Sequence, residues 1–146
     1  MSIQDMIAQL GQGMLTSVLI YALTLIGAVP LALPLALARG GKSKIARLLT
    51  GAYISFMRGT PLMLQLIAVY FGPWYLFRIR ISDGYRFYAV IIAFVLNYAA
   101  YFAEIYRAGI AAVPKGQREA AAVLGYTNAQ AFFRIVLPLS LIHISE

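Results

Sequence analysis

Residues 14–38 form a run of 25 positions without a single charged side chain. Coiled into an α-helix, such a run is about 37 Å long, enough to cross a hydrocarbon core of about 30 Å with some tilt. A segment of this kind leaves a chain little choice of solvent, and composition agrees. Hydrophobic residues make up 62%, charged residues 12%, and the mean hydropathy is +0.79. Ordinary soluble domains carry about 25% charged residues, and 146 residues enclose too small a core to hide this much apolar surface. The same figures exclude a disordered chain, which needs low hydrophobicity. Pro30 and Pro34 lie inside the run, so a kink is expected near Pro30, with neighbouring helices satisfying the freed backbone groups. Ala36-Leu37-Ala38 imitates a signal-peptide cleavage site, but the run is too long and its start lacks a basic region. A retained span is expected.

Two further apolar stretches follow. Residues 59–77 are uncharged for 19 positions, and ten more uncharged residues, 48–57, precede Arg58. Thr60-Pro61 reads as a helix start, with the hydroxyl as cap and proline in the first turn, where its missing N–H costs little. Residues 87–103 are uncharged for 17 positions, and the pattern continues through Glu104 and Arg107 to Pro114. The fold class is therefore all-α, a polytopic membrane protein with three transmembrane spans near 14–38, 53–77 and 87–113.

Twelve Lys and Arg against five Asp and Glu give a net charge of +7. These basic residues cluster between the apolar runs, a pattern of membrane-protein loops rather than of a nucleic-acid surface, so lipid is an expected partner and nucleic acid is not. Five lie in 39–58, three in 78–86 (partly offset by Asp83) and four in 107–134. Three crossings put nine basic residues on one side and three on the other. The positive-inside rule makes the richer side the cytoplasm and leaves the N-terminus outside.

The chain has no cysteine and one histidine, His143, without a Cys, Asp or second His nearby. No metal site, no bound cofactor and no catalytic residue is expected, since paired carboxylates and nucleophile–base pairs are also missing from the pattern.

Beyond Pro114 the character changes. Residues 115–124 read as a short amphipathic helix closed by Gly125, a residue suited to a left-handed cap. Thr127-Asn128-Ala129-Gln130 fits a capping box, opening a second helix through Phe132, Phe133, Ile135 and Val136 as far as Pro138. This predicts two cytoplasmic helices joined by a glycine turn.

Within that segment Glu119-Ala120-Ala121, three residues, Gly125, nine residues, Ile135, one residue and Leu137-Pro138 reproduce the spacing of the EAA loop of ATP-binding-cassette importer permeases. Arg58-Gly59-Thr60-Pro61-Leu62 and Ala103-Glu104-Ile105-Tyr106-Arg107-Ala108-Gly109-Ile110 also resemble the polar amino-acid branch of that family, the histidine, glutamine and arginine type. Ala112-Val113-Pro114-Lys115-Gly116-Gln117 leads into the loop as it does there, and the resemblance runs from about residue 13 to 138.

The resemblance implies a partial type I importer permease fold in residues 1–138, with the EAA loop at 115–138 as a coupling element docked on an ATPase. Its coupling residues would be Glu119, Ala120, Ala121, Gly125, Ile135, Leu137 and Pro138. It further implies a multi-pass subunit of the bacterial inner membrane, paired with a second permease subunit as homo- or heterodimer and fed by an extracytoplasmic amino-acid-binding protein. ATP and magnesium would belong to the separate ATPase subunits, as the chain carries no glycine-rich phosphate loop. The family continues with further spans and shows Gln-Ala after Leu-Pro, where this chain has Leu139-Ser140. A truncated frame, or a divergent or foreign tail over 139–146, is expected.

A charge at mid-membrane costs about 2.5–3.5 kcal/mol on insertion scales, so polar groups inside the spans are the substrate-path candidates. Asn97, Tyr101 and Glu104 recur at i, i+4 and i+7 and share one face of the third helix. Glu104 also stands three residues before Arg107, in favourable order for an ion pair within the helix. Gln65 in the second span is a weaker candidate, better explained by a helix–helix hydrogen bond. Two other readings stay open, a fragment of a secondary transporter and a non-transporting membrane adaptor. The first gives no reason for the 119–138 spacing, and the second would only bind a partner through the cytoplasmic helices.

Overall fold

In the computed structural model the chain is described over residues 2–82 and 84–143. Asp83, which entered the loop charge count, the surroundings of the His143 side chain and residues 144–146 of the expected tail lie outside the described residues. Every regular element among the described residues is helical.

Helix α1, Ile3–Gly40, is 38 residues long. It opens on a reciprocal cap: the Asp5 N–H donates to Ser2 Oγ at 3.2 Å, and the Ser2 N–H donates to Asp5 Oδ2 at 2.9 Å. Each proline in α1 deletes one i→i−4 bond, to Ile26 and to Pro30, yet neither interrupts the helix. α2, Lys44–Gly59, and α3, Leu62–Phe77, have 16 residues each. α4, Tyr85–Ala112, runs for 28. By length and hydropathy α1 and α4 are long and apolar enough to cross a membrane, and α2 with α3 qualifies only as a joined pair.

The span expected over 53–77 is bent, not one continuous helix. α2 and α3 meet at a break with a 109° change of direction. The cause is local. Pro61 takes φ −61°, ψ 135°, and the residue before a proline is pushed out of the helical region. The Thr60 hydroxyl does not cap α3 as expected; it donates back to Phe56 O at 2.8 Å. At its far end α3 closes on Arg78 in the left-handed region, φ 57°. The Arg78 and Ile79 N–H groups close the helix on Trp74 O and Pro73 O at 3.0 and 3.3 Å, and the guanidinium sits 5.6 Å from the centre of the Trp74 ring. That cation–π contact helps hold a backbone conformation that a non-glycine residue rarely adopts.

The chain packs as two compact units: Met1–Leu31 with Phe56–Ala99, and Ala32–Ser55 with Ala100–Glu146. In the first, Thr24 and Ala28 on α1 and Ala89 and Ala93 on α4 are buried one turn apart. Gly27 packs against Val95 so closely that a Cβ would stand 2.8 Å from Val95 Cγ2. The Tyr85 hydroxyl donates to Val69 O at 3.0 Å. In the second unit the buried set is again small: Ala32, Ala36, Ala100, Ala103, Ala121 and Ser140, with Ile54, Val113 and Val136. Small side chains let helix backbones approach where lipid supplies no hydrophobic drive between helices. The large ones point outward. Leu10, Met14, Leu15, Val18 and Ile26 of α1 are all about half exposed or more.

Candidate functional site

The segment after α4 folds as the helix–turn–helix expected, from purely local signals. Pro114, at φ −57° and ψ 138°, precedes α5, Lys115–Val123. The helix ends in a Schellman turn: the Tyr126 N–H donates to Ala121 O and the Gly125 N–H to Ala122 O, both at 3.0 Å. Gly125 carries φ +78°, which only glycine adopts without strain. The capping box closes too. The Gln130 N–H donates to Thr127 Oγ1 at 3.3 Å, and the Thr127 N–H donates to Gln130 Oε1 at 3.0 Å. α6, Asn128–Ala131, leads into a π-helical stretch, Phe132–Val136, and then α7, Leu137–His143.

The second loop helix therefore does not stop at Pro138, as its sequence led us to expect. Pro138 has no N–H to give Arg134 O, and its ring would crowd that carbonyl in a regular α-turn. The widened turn, in which the Leu137 N–H reaches Phe132 O, admits the proline without ending the helix.

Of the EAA positions, Ala121 is buried at 1% exposure, while Glu119, Ala120, Gly125 and Pro138 are exposed and Ile135 and Leu137 half-buried. Close packing thus concerns Ala121; Ala122 is exposed as well. What sequence reasoning missed is the apolar tip. Val123 is 88% exposed, Leu124 73% and Phe133 60%. Exposed large apolar side chains on one short segment are a docking signal, but their positions suited burial equally well.

Within the second unit, Glu104 forms the ion pair anticipated with Arg107: Arg107 Nε and Nη2 both donate to Glu104 Oε2, at 3.0 and 2.9 Å. A second cation, Arg39, was not anticipated. Its Nε lies 3.8 Å from Glu104 Oε1, and its Nη1 donates to Arg47 O at 3.3 Å. The guanidinium crosses α2 over Gly51, where a Cβ would meet Nη1 at 2.8 Å. No spacing rule could find this pairing, because Arg39 and Glu104 sit on different helices. Both arginines are more than a third exposed, so solvent screens the pairs. Glu104→Gln is expected to lower stability by about 1 kcal/mol, read as a reduced thermal midpoint in detergent micelles. An unchanged midpoint would show that the cluster contributes nothing to folding.

The other path candidates separate. Gln65 (7% exposed) and Asn97 (5%) meet inside the first unit. Asn97 Nδ2 donates to Gln65 Oε1 at 2.9 Å and to Met57 O at 3.2 Å. The two N–H groups of Gln65 Nε2 are shared among Met57 O, Thr60 O and Thr60 Oγ1, at 2.9, 3.1 and 2.7 Å. Together they clip the broken backbone around Thr60, the helix-bonding role already favoured for Gln65. Tyr101, in the second unit, is 41% exposed.

Gly41-Lys42-Ser43 carries the ending of a phosphate loop. Ala36 stands where such a loop needs its first glycine, and it lies within α1, so the pattern is not one.

Residues 28–145 match the family described as binding-protein-dependent transport system inner membrane component. The chain belongs to this family. Among its relatives is the L-cystine transport system permease protein TcyL of Bacillus subtilis (strain 168), 45% identical over 126 residues, covering 84% of this chain and 53% of that protein. The arginine transport system permease protein ArtQ of the same organism is 46% identical over 93 residues, 64% of this chain and 41% of its own length. The putative glutamine transport system permease protein GlnP of Rickettsia prowazekii (strain Madrid E) is 40% identical over 104 residues, 71% and 46%. The chain spans about half the length of the relatives it matches. A solved structure described as "Crystal structure of an amino acid ABC transporter with histidines" superposes with a TM-score of 0.77 at 34% identity, over 99% of this chain and 67% of that one. The all-α, type I permease-like fold follows from that likeness.

Proposed function

We propose that this chain is part of a permease subunit of an ATP-binding-cassette importer for a polar amino acid, and that residues 115–138 couple it to an ATPase subunit. The carrying observation is the loop itself: a Schellman turn and a capping box fix two short helices, and the turn leaves Val123 and Leu124 exposed. Family membership and the cystine, arginine and glutamine transport systems of its relatives support the substrate class. A rigid knob of this kind can pass nucleotide-driven motion to the spans, provided its contacts differ between two states.

In this reading ATP and magnesium sit on the separate ATPase subunits, a second permease subunit completes the pathway, and an extracytoplasmic binding protein delivers the solute. The chain resides in the bacterial inner membrane with its N-terminus outside, the orientation that leaves the 115–138 loop in the cytoplasm. Tyr101 and Glu104 are the path candidates the reading keeps, whereas the polar atoms of Asn97 and Gln65 serve the break at Thr60.

The test is site-specific photo-cross-linking from position 124 in membranes that co-express the ATPase subunit. The expected product is an adduct at the summed mass of the two chains, absent when the same label is placed at Leu76 on α3. Adducts to lipid alone from position 124 would sink the proposal.

A further inference from the structure

The second unit contains an open cavity of about 880 Å³, within the range of about 300–1,000 Å³ usual for ligand sites. We propose that it binds the anionic phosphodiester headgroup of a membrane phospholipid. The proposal requires only that α1 and α4 span the membrane, and is independent of coupling to an ATPase.

Charge is the first argument. Arg39, Lys42, Arg107 and Arg118 line the cavity, and no acidic residue does. The carboxylate that reaches these cations, Glu104, is shared between Arg39 and Arg107. Four positive charges thus face one negative, and an anion would restore the balance.

Unmet hydrogen-bonding capacity is the second. Arg39 Nε is shielded from solvent and faces Glu104 Oε1 at 3.8 Å, so the open capacity lies with Arg118 and Lys42. Arg118 makes one long bond, Nη2 to Ile110 O at 3.5 Å. Lys42 makes no hydrogen bond or ion pair among the described residues. Phosphate oxygens supply acceptors matched to the guanidinium fork and to an ammonium.

Depth is the third argument, and it selects lipid over a soluble anion. Arg39 follows directly on the uncharged run 14–38, and Arg107 lies four residues past the uncharged run 87–103. The cations therefore sit where hydrocarbon gives way to headgroups, the usual place for a basic pocket that holds an acidic lipid. Leu37, Ile110 and Phe132 supply an apolar part of the wall, suited to the glycerol and first acyl carbons, beside the polar side chains of Tyr126 and Asn128. Arg118 and Ala122 face the cavity from one side of α5. Glu119 and Val123 do not line it, so headgroup binding leaves them free for a protein partner.

The experiment uses the full 146-residue chain in a neutral detergent. Native mass spectrometry measures retention of phosphatidylglycerol against phosphatidylcholine at equal concentration, with inorganic phosphate as a third probe. Phosphatidylglycerol should be retained at least about tenfold better than phosphatidylcholine. The double substitution Lys42→Gln with Arg118→Gln, which spares the Glu104 pairs, should lower that retention by about tenfold. Arg80→Gln with Arg86→Gln removes the same charge from the first unit and should leave retention unchanged. Circular dichroism checks that each variant is folded, and Lys42→Gln alone is read if the double variant is not. Equal retention of the two lipids, an equal loss in both double variants, or capture of inorganic phosphate in place of lipid would overturn the proposal.

Discussion

Replacing Gln65 with leucine is expected to destabilise the chain by about 2–4 kcal/mol. The side chain fits the volume, but its amide is the donor for three oxygens on the broken backbone, Met57 O, Thr60 O and Thr60 Oγ1. Those oxygens sit where a span is interrupted, and irregular backbone at membrane depth persists only when protein groups satisfy it. Removing the amide also takes away the acceptor of Asn97 Nδ2, a buried donor. Unfolding in detergent can be followed by the fluorescence of Trp74, the single tryptophan, on α3. Asn97→Leu should cost less, since Gln65 still serves Met57 O. The double variant should cost more than the two together, because each single variant leaves one amide on that carbonyl and the double leaves none. A Gln65→Leu chain melting with the parent would mean that the break at Thr60 holds itself.

Gly125→Val is expected to abolish capture of the ATPase subunit while leaving α1 and α4 folded. No neighbouring atom lies within 4 Å of the site a Cβ would occupy, so crowding is not the cause. Strain is. A φ of +78° costs an ordinary side chain about 1–2 kcal/mol, and a β-branched residue is the worst case. α5 has only nine residues, too few to persist without its terminal turn. Releasing that turn frees Tyr126 and Gly125 from Ala121 O and Ala122 O, and Val123 and Leu124 lose their fixed presentation. Co-purification with the ATPase subunit should fall by more than about tenfold, the effect of losing about 1.4 kcal/mol of binding. Helicity by circular dichroism should fall only by the α5–α6 segment. Undiminished co-purification would show that the turn's shape is irrelevant to coupling.

The two long apolar helices and the helix–turn–helix were legible because their determinants are local. Hydropathy over a window, a glycine at a helix end and a hydroxyl three residues before a glutamine each act within a few positions, so spacing is enough to find them. The expected end at Pro138 failed where two local rules competed. Proline forbids a regular turn, but a widened turn over Phe132–Val136 accommodates it. For another reason, the bend in the second span was not legible. Summed hydropathy is blind to direction, and Thr60-Pro61 is compatible with a helix start on either side of a bend.

The sequence alone determined which stretches need lipid, where the loop turns, and that Glu104 has a cation one turn away, because those follow from composition and from separations of three to seven residues. Tertiary structure decided that α2 and α3 bend at Thr60 under the Gln65–Asn97 clip, that Arg39 crosses Gly51 to reach Glu104, and that four basic side chains open onto one cavity. Those contacts join residues on different helices, and no one-dimensional pattern encodes which helix faces which.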